Sequence, residues 1–110
     1  MATTPAQIDT WRQAPTEHQR LEFKEAKKHF DTHRLAEYCV ALANEGGGVL
    51  LLGVADSPPR PVVGSQAFPN TVHTAQKLFE AVGFRVDIEE VDHPSGRVLV
   101  FHIPSRPRGT

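Results

Sequence analysis

Residues 41–56 read ALANEGGGVLLLGVAD, a helical end followed by glycines and an aliphatic run, and this stretch decides the fold class. The helix is predicted to begin at Asp31 or Thr32, either of which can cap it, and to run to about Glu45. The glycines end it because glycine adopts the left-handed conformation without steric cost. The unbroken run Val49–Val54 predicts a central strand covered on both faces. The helix buries one stripe of residues three and four positions apart, namely Leu35, Cys39, Leu42 and Ala43.

The remaining elements follow from alternation, helical spacing and turn residues. Ile8 and Trp11 are candidates for anchoring a short N-terminal helix. A second helix is predicted over Thr71–Val82, ended by Gly83. The predicted strands are Leu21–Ala26, a short strand around Val62 and Val63, and a hairpin of Arg85–Val91 with Arg97–Ile103. The second helix should bury the apolar side formed by Val72, Ala75, Leu78, Phe79 and Val82.

The resulting order β-α-β-β-α-β-β predicts a single α/β domain of the mixed α+β kind, with two helices packed on a mixed sheet. The chain has 110 residues, of which 39% are hydrophobic and 23% charged, as in an ordinary globular domain. The lone cysteine, Cys39, excludes an intramolecular disulfide and a cysteine-rich zinc site, and it is expected to be buried. No segment reads as a membrane span or signal peptide, so we expect a cytoplasmic protein without membrane association.

A formal net charge of −1 is not that of a protein that coats nucleic acid by charge alone, so phosphate binding needs a local patch. One candidate patch lies between residues 20 and 34, where His29 and His33 accompany basic side chains. A second lies near the C-terminus. Scattered solvated charge is the alternative interpretation of both. The first patch comprises Arg20, Lys24, Lys27, Lys28 and Arg34, the second comprises Arg97, Arg106 and Arg108, and all of these except Arg97 are candidate phosphate contacts.

Two known motifs, a nucleotide P-loop and a histidine zinc site, are present only in part. Gly48 and Gly53 have the spacing of a nucleotide P-loop, but Val54 and Ala55 stand where lysine and a hydroxyl residue are required, so ATP binding is not expected. A zinc site built on His29, His33 and Glu37 lacks the glutamate after the first histidine, where Phe30 stands, and a surface histidine pair is the favoured interpretation.

Three carboxylates, Glu17, Glu22 and Asp56, are placed at the entrance of the first strand, within it and after the buried strand. Oxygen ligands of this kind hold Mg²⁺ or Mn²⁺, which can support cleavage of a phosphodiester. Lys24 shares the strand face of Glu22 and would offset negative charge. Because 13 acidic residues allow many such triplets, solvated or capping carboxylates remain an open alternative.

Four segments together resemble the Schlafen-type AlbA domain: Glu17–Lys24 (EHQRLEFK), Ala41–Gly48 (ALANEGGG), Val49–Asp56 (VLLLGVAD) and Val98–Pro104 (VLVFHIP). The resemblance spans about residues 15–106. It implies an AlbA-like domain that binds DNA or RNA, often as the N-terminal part of a transcriptional regulator or helicase-like protein. In the animal Schlafens a similar domain is an RNA endonuclease with three acidic residues, whose positions Glu17, Glu22 and Asp56 match.

The resemblance has limits that leave three hypotheses open. The animal nucleases enclose a basic valley between two lobes, which a single lobe could supply only as a homodimer. We therefore expect a nucleic-acid-binding domain first, an endoribonuclease acting on structured RNA such as tRNA second, and a non-catalytic dimerisation or interaction module third. We expect residues 1–14 to be an extension, 15–106 the domain and 107–110 a tail or the start of a linker. A domain taken from a longer protein is the favoured interpretation, and a short stand-alone protein is the alternative.

Overall fold

The computed structural model describes residues 2–13 and 20–106, which contain three helices and four strands. The strands form one sheet in the order β1-β2-β4-β3; β1 and β2 are parallel, and the other two pairs are antiparallel. The predicted mixed-sheet α+β class is therefore confirmed. The elements are α1 (Pro5–Gln13), β1 (Leu21–Lys24), α2 (Thr32–Asn44), β2 (Gly48–Leu52), α3 (Thr71–Val82), β3 (Asp87–His93) and β4 (Gly96–Ile103).

Both predicted helices begin and end where their local chemistry requires. The Asp31 side chain caps α2 by accepting a hydrogen bond from the Arg34 backbone N–H at 3.1 Å. After α2, Gly47 adopts φ 91°, and a Cβ there would lie 2.8 Å from the Ile103 carbonyl oxygen. Helix α3 has the predicted bounds and ends at Gly83, whose φ is 81°.

The two faces of the sheet carry separate apolar clusters because side chains alternate along each strand. Helices α2 and α3 cover one face, where Leu35, Leu50 and Phe101 are fully buried. Cys39 is buried there too, as predicted, and burial raises the pKa of its thiol to about 12. Helix α1 covers the other face with the fully buried Ile8, and Trp11 packs against the same cluster, so both predicted anchors are confirmed.

The predicted strands differ from the structure in extent: β2 is Gly48–Leu52 and not Val49–Val54, β4 begins one residue early at Gly96, and three others differ as follows. The expected strand at Val62 and Val63 is reduced to a single bridge between Val62 and Val54, in a loop where three nearby prolines lack the N–H that a ladder needs. Strand β1 ends at Lys24 and not at Ala26, because Ala26 takes a left-handed φ of 44°. Strand β3 is shifted two residues toward the C-terminus, because it pairs with β4 up to the tight turn between His93 and Gly96.

The predicted buried side of α3 is wrong at two positions. Leu78 and Val82 are buried as expected, but Val72 is 78% exposed and Phe79 is 54% exposed. Phe79 is one residue, about 100°, around the helix from Leu78, so both cannot face the sheet squarely. The polar Thr74 is buried in their place. None of the helices in the described ranges is long and apolar enough to cross a membrane.

Candidate nucleic-acid interface

Two cations, one on the edge strand β1 and one on α2, lie against the same tyrosine. Lys24 Nζ lies 5.1 Å from the ring centroid of Tyr38 in α2. Arg34, one helical turn earlier, donates from Nη2 to the Tyr38 hydroxyl at 3.3 Å. The interaction with Tyr38 raises the pKa of Lys24, and the interactions with Lys24 and then Arg34 lower the pKa of Tyr38. Both predicted phosphate contacts are therefore brought together and oriented by the same phenol.

Tyr38 is a residue that sequence reasoning missed. Its spacing of four from Arg34 indicates a shared helix face, and that signal is present in the sequence. Its proximity to Lys24 is not, because it depends on how α2 lies across β1. Beside β1 the structure therefore adds the phenol of Tyr38 to the two cations, Lys24 and Arg34, that the sequence indicated.

Two of the three predicted carboxylates lie near Lys24. Glu22 and Lys24 share a face of β1, since their partners on β2, Leu50 and Leu52, both belong to the core under α2. Asp56 follows β2, and the parallel pairing of β1 with β2 brings the two carboxyl ends to one edge. The charges of Glu22 and Asp56 also contribute to raising the pKa of Lys24, after the larger effect of Tyr38.

The third predicted carboxylate, Glu17, lies outside the described residues. Across residues 2–13 and 20–106, no group of three metal-ligating side chains comes together. The described residues thus supply two carboxylates, Glu22 on β1 and Asp56 after β2, together with the ammonium group of Lys24. On their own, the placed residues do not form a site for Mg²⁺ or Mn²⁺.

The other predicted basic residues fall at two ends of the sheet. Lys27 and Lys28 lie in the bend after β1, near the end that carries Asp56. Arg20 lies at the opposite end, beside Gly46, where a Cβ would lie 3.6 Å from the Arg20 guanidinium carbon. Arg106 is at that end too, with its guanidinium 5.6 Å from the Phe84 ring centroid. Arg108 lies outside the described residues.

Arg97, which the sequence places in the second candidate patch, makes its contacts within the domain. Its guanidinium donates to the carbonyl oxygens of Ser65, Ala67 and Phe68 at 3.1, 2.7 and 2.9 Å, and its Nε donates to Glu90. The side chain is only 20% exposed. Arg97 therefore holds the loop before α3 against the hairpin. No local pattern in the sequence predicts this role.

The histidine pair behaves as a surface pair. His33 Nε2 lies 3.9 Å from Glu37 Oε2, and both side chains are largely exposed. In the described part of the chain they join no metal-ligating cluster. His29 is exposed as well, so both histidines of the pair lie on the surface.

The fold occurs in proteins of known structure. A Corynebacterium diphtheriae protein of known crystal structure superposes with a TM-score of 0.67 at 21% identity, over 84% of this chain and 21% of that one. The N-terminal domain of a Nitrosomonas europaea protein, described as related to the ATP-dependent DNA helicase RecG, superposes with a TM-score of 0.63 at 24% identity. That match covers 94% of this chain and 74% of the other. At these identities the likeness shows a shared fold.

The fold thus defines a small α+β domain of a kind that also occurs inside longer proteins, since this chain spans about a fifth of the Corynebacterium protein. The family model described as Schlafen, AlbA_2 matches residues 17–110. The chain therefore belongs to the Schlafen AlbA_2 family, which confirms the resemblance found in the motifs. No curated protein matches it significantly.

Proposed function

We propose that this chain is a nucleic-acid-binding domain that contacts phosphates through the edge of β1 and the bend after it. The observation that carries the proposal is the pair of cations, Lys24 and Arg34, held on one tyrosine at a solvent-accessible edge. Lys27 and Lys28 lie in the bend directly after β1 and add two more cations near this end of the strand. Family membership and the helicase-related name of one structural neighbour support the same function.

The geometry suits phosphate recognition because it limits the freedom of long side chains. An unrestrained lysine or arginine loses up to about 2 kcal/mol of rotamer entropy when it is immobilised. Tyr38 restrains Lys24 and Arg34 before a ligand arrives, so part of that loss precedes binding. If the four cations neutralise four phosphates, log K should fall against log salt with a slope of about −3 on a single strand.

The test is fluorescence anisotropy with labelled DNA and RNA oligonucleotides at ~50 mM salt. We expect binding that weakens as salt rises, and a loss of about tenfold when Lys24→Gln and Arg34→Gln are combined. Arg85→Gln is the matched control, because Arg85 is 86% exposed at the opposite end of the sheet. Absence of binding, or binding without a salt slope, would overturn the proposal.

We extend the proposal to a role as the nucleic-acid-binding part of a transcriptional regulator. The support is that the same fold forms the N-terminal domain of the helicase-related neighbour and one fifth of the Corynebacterium protein. Chromatin-type immunoprecipitation of the protein expressed in cells tests this role. Enrichment of promoter DNA that is lost in the Lys24→Gln, Arg34→Gln protein is expected, and uniform recovery of DNA would contradict it.

A second candidate function is a metal-dependent endoribonuclease that uses Glu17, Glu22 and Asp56 with Lys24. The observation in its favour is that Glu22 and Asp56 both lie within electrostatic reach of Lys24. Incubation of tRNA with the protein and Mn²⁺ tests it. Cleavage should disappear in Glu22→Gln and persist in Glu80→Gln, a change of the same kind at an exposed position of α3. No cleavage, or cleavage indifferent to Glu22, would remove this candidate.

A further inference from the structure

Two adjoining cavities lie between the bend after β1 and the loop that precedes α3. Their volumes are about 560 and 320 Å³, and they share Lys28 and Gln66 in their walls. Lys27 and Arg97 border the larger cavity, and the first turn of α3 borders the smaller. Volumes of this order are those of small-ligand sites in proteins.

The walls of the two cavities are fixed by hydrogen bonds. The buried Ser65 hydroxyl donates to the Ala26 carbonyl at 2.6 Å and accepts from the Ala67 N–H at 3.1 Å. The Gln66 backbone N–H donates to the Lys27 carbonyl at 2.8 Å. Arg97 holds three further carbonyls of the same loop. The loop and the bend therefore form one rigid frame around the cavities.

That frame holds two non-glycine residues in an unfavourable backbone conformation. Ala26 has φ 44° on one side, and Phe68 has φ 49° on the other. Left-handed residues of this kind cost on the order of 1–3 kcal/mol each, and they cluster at ligand sites. Phe68 is itself part of the smaller cavity wall. The strain is thus located where a ligand would be held.

The charge of the walls indicates an anionic ligand. The described residues that line the two cavities include no aspartate or glutamate, although the chain as a whole has a net charge of −1. Lys28 makes no ion pair or hydrogen bond with the described part of the chain. Lys27 approaches only Glu25, at 3.9 Å with both side chains exposed. Two ammonium groups are therefore available, Lys28 where the two cavities meet and Lys27 at the larger one.

The smaller cavity combines aromatic and hydrogen-bonding groups. Phe30 and Phe68 offer apolar ring surface, while His29 and His73 offer ring nitrogens. This is the combination that recognises a nucleobase, since bases stack on aromatic rings and carry donors and acceptors at their edges. A base paired in a duplex would first have to be extruded, at a cost of a few kcal/mol. The cavity therefore suits an unpaired base.

We propose that this pair of cavities holds one unpaired nucleotide of a single strand, with its phosphate at Lys27 and Lys28 and its base between His29 and His73. The inference rests on the proposed nucleic-acid binding and deepens it. It assigns the ligand class, a single-stranded segment, and adds His29, His73 and Gln66 to the interface. The smaller cavity adjoins the Lys24, Tyr38 and Arg34 group, because the ring of its wall residue Phe30 lies 6.3 Å from the Tyr38 ring, and it extends the interface toward α3.

The test compares a labelled single-stranded oligonucleotide with its duplex, using wild-type protein and two matched variants. The combined Lys28→Gln, His73→Gln variant removes one phosphate contact and one base contact, and Arg85→Gln removes one charge at the far end of the sheet. We expect the wild type to prefer the single strand by at least about tenfold, because a duplex must first extrude a paired base. We expect the Lys28→Gln, His73→Gln variant to lose about tenfold more affinity for the single strand than for the duplex, because both ligands lose one phosphate contact but only the single strand loses a base contact.

Amide NMR spectra supply a second readout and show that each variant is folded. Addition of the single strand should shift the Gln66 side-chain amide and the backbone amides of 27–30, and leave those around Arg85 in place. The inference would be overturned if the wild type bound the single strand and the duplex equally and the Lys28→Gln, His73→Gln variant behaved like Arg85→Gln. The proposed function would then still stand. Failure of the wild type to bind any nucleic acid would overturn both.

Discussion

His93 Nε2 in β3 lies 2.8 Å from Oδ1 of Asp9 in α1, and this contact fastens the N-terminal helix to the second face of the sheet. Arg12 donates to the same carboxylate oxygen at 2.6 Å. At the other end of the helix, Glu89 of β3 accepts two hydrogen bonds from Thr3 and contacts His102. The helix lies outside residues 17–110, the region that the family model matches. Its attachment thus depends on the Asp9–His93 contact, the hydrogen bonds from Thr3 to Glu89 and the buried Ile8.

The first prediction is that α1 detaches in acid. Hydrogen bonds from His93 and then Arg12 lower the pKa of Asp9 below its ordinary value of 3.8. For Glu89, burial alone would raise the pKa, but hydrogen bonds from Thr3 and His102 outweigh it and lower the pKa below 4.5. A lowered carboxyl pKa stabilises the folded state above the ordinary value, and that contribution is lost as pH falls through the lowered one. Docking should therefore hold at neutral pH and weaken below these ordinary values.

Trp11 is the chain's single tryptophan and reports this change, since its ring lies 6.5 Å from the His102 ring in a T-shaped contact. Its fluorescence should shift to the red in the acid range while far-ultraviolet circular dichroism of the sheet persists. Asp9→Asn should reduce the docked fraction at neutral pH and flatten the titration. An emission maximum that is independent of pH until global unfolding would contradict the prediction.

The second prediction concerns Arg97. Replacement by lysine keeps the charge but cannot serve three carbonyls and Glu90 at once, because an ammonium lacks the guanidinium fork. We expect Arg97→Lys to lower the free energy of unfolding in urea by about 2 kcal/mol, as for lost charged hydrogen bonds in a partly buried site. Arg85→Lys, at a position 86% exposed, should change it by less than about 0.5 kcal/mol. Equal effects would show that Arg97 does not hold the loop.

The third prediction compares two glycines with similar backbone angles. Gly47 and Gly83 have φ values of 91° and 81°, so alanine is strained at both, by about 1–2 kcal/mol. A Cβ at Gly83 would meet nothing within 4 Å, whereas at Gly47 it would lie 2.8 Å from the Ile103 carbonyl oxygen. Thermal unfolding should therefore show a much larger loss for Gly47→Ala than for Gly83→Ala. Similar losses would mean that conformational strain alone matters at both sites.

The fourth prediction separates two neighbouring residues of α3. Leu78 is fully buried, so Leu78→Ala should cost about 2–5 kcal/mol through lost burial and the remaining cavity. Phe79 is 54% exposed, and Phe79→Ala should cost about 1 kcal/mol or less. Urea denaturation of the two variants measures both values. A reversed order would show that Phe79, and not Leu78, faces the core.

Much of the fold was predictable because its signals are local. The bounds of α3 and the cap of α2 depend on groups within four residues of one another, and both predictions are confirmed. The burial of Cys39 followed from helical spacing in the same way. The exposure of Val72 and Phe79 was not predictable, because it depends on the angle at which α3 meets the sheet. The site was predictable only in part, since Lys24 and Arg34 were recognised as cations but not as partners of Tyr38.

The sequence by itself determined that this chain builds a mixed sheet with helices and carries the motifs of the Schlafen AlbA_2 family. Periodicity, caps and glycine stops act over a few residues, so one chain read in order is enough to recognise them. The tertiary structure alone decided which charges meet, since contacts such as Lys24 with Tyr38 and Arg97 with the loop before α3 depend on strand order and register. Contacts between residues distant in the chain follow from packing, and packing is a property of the whole domain.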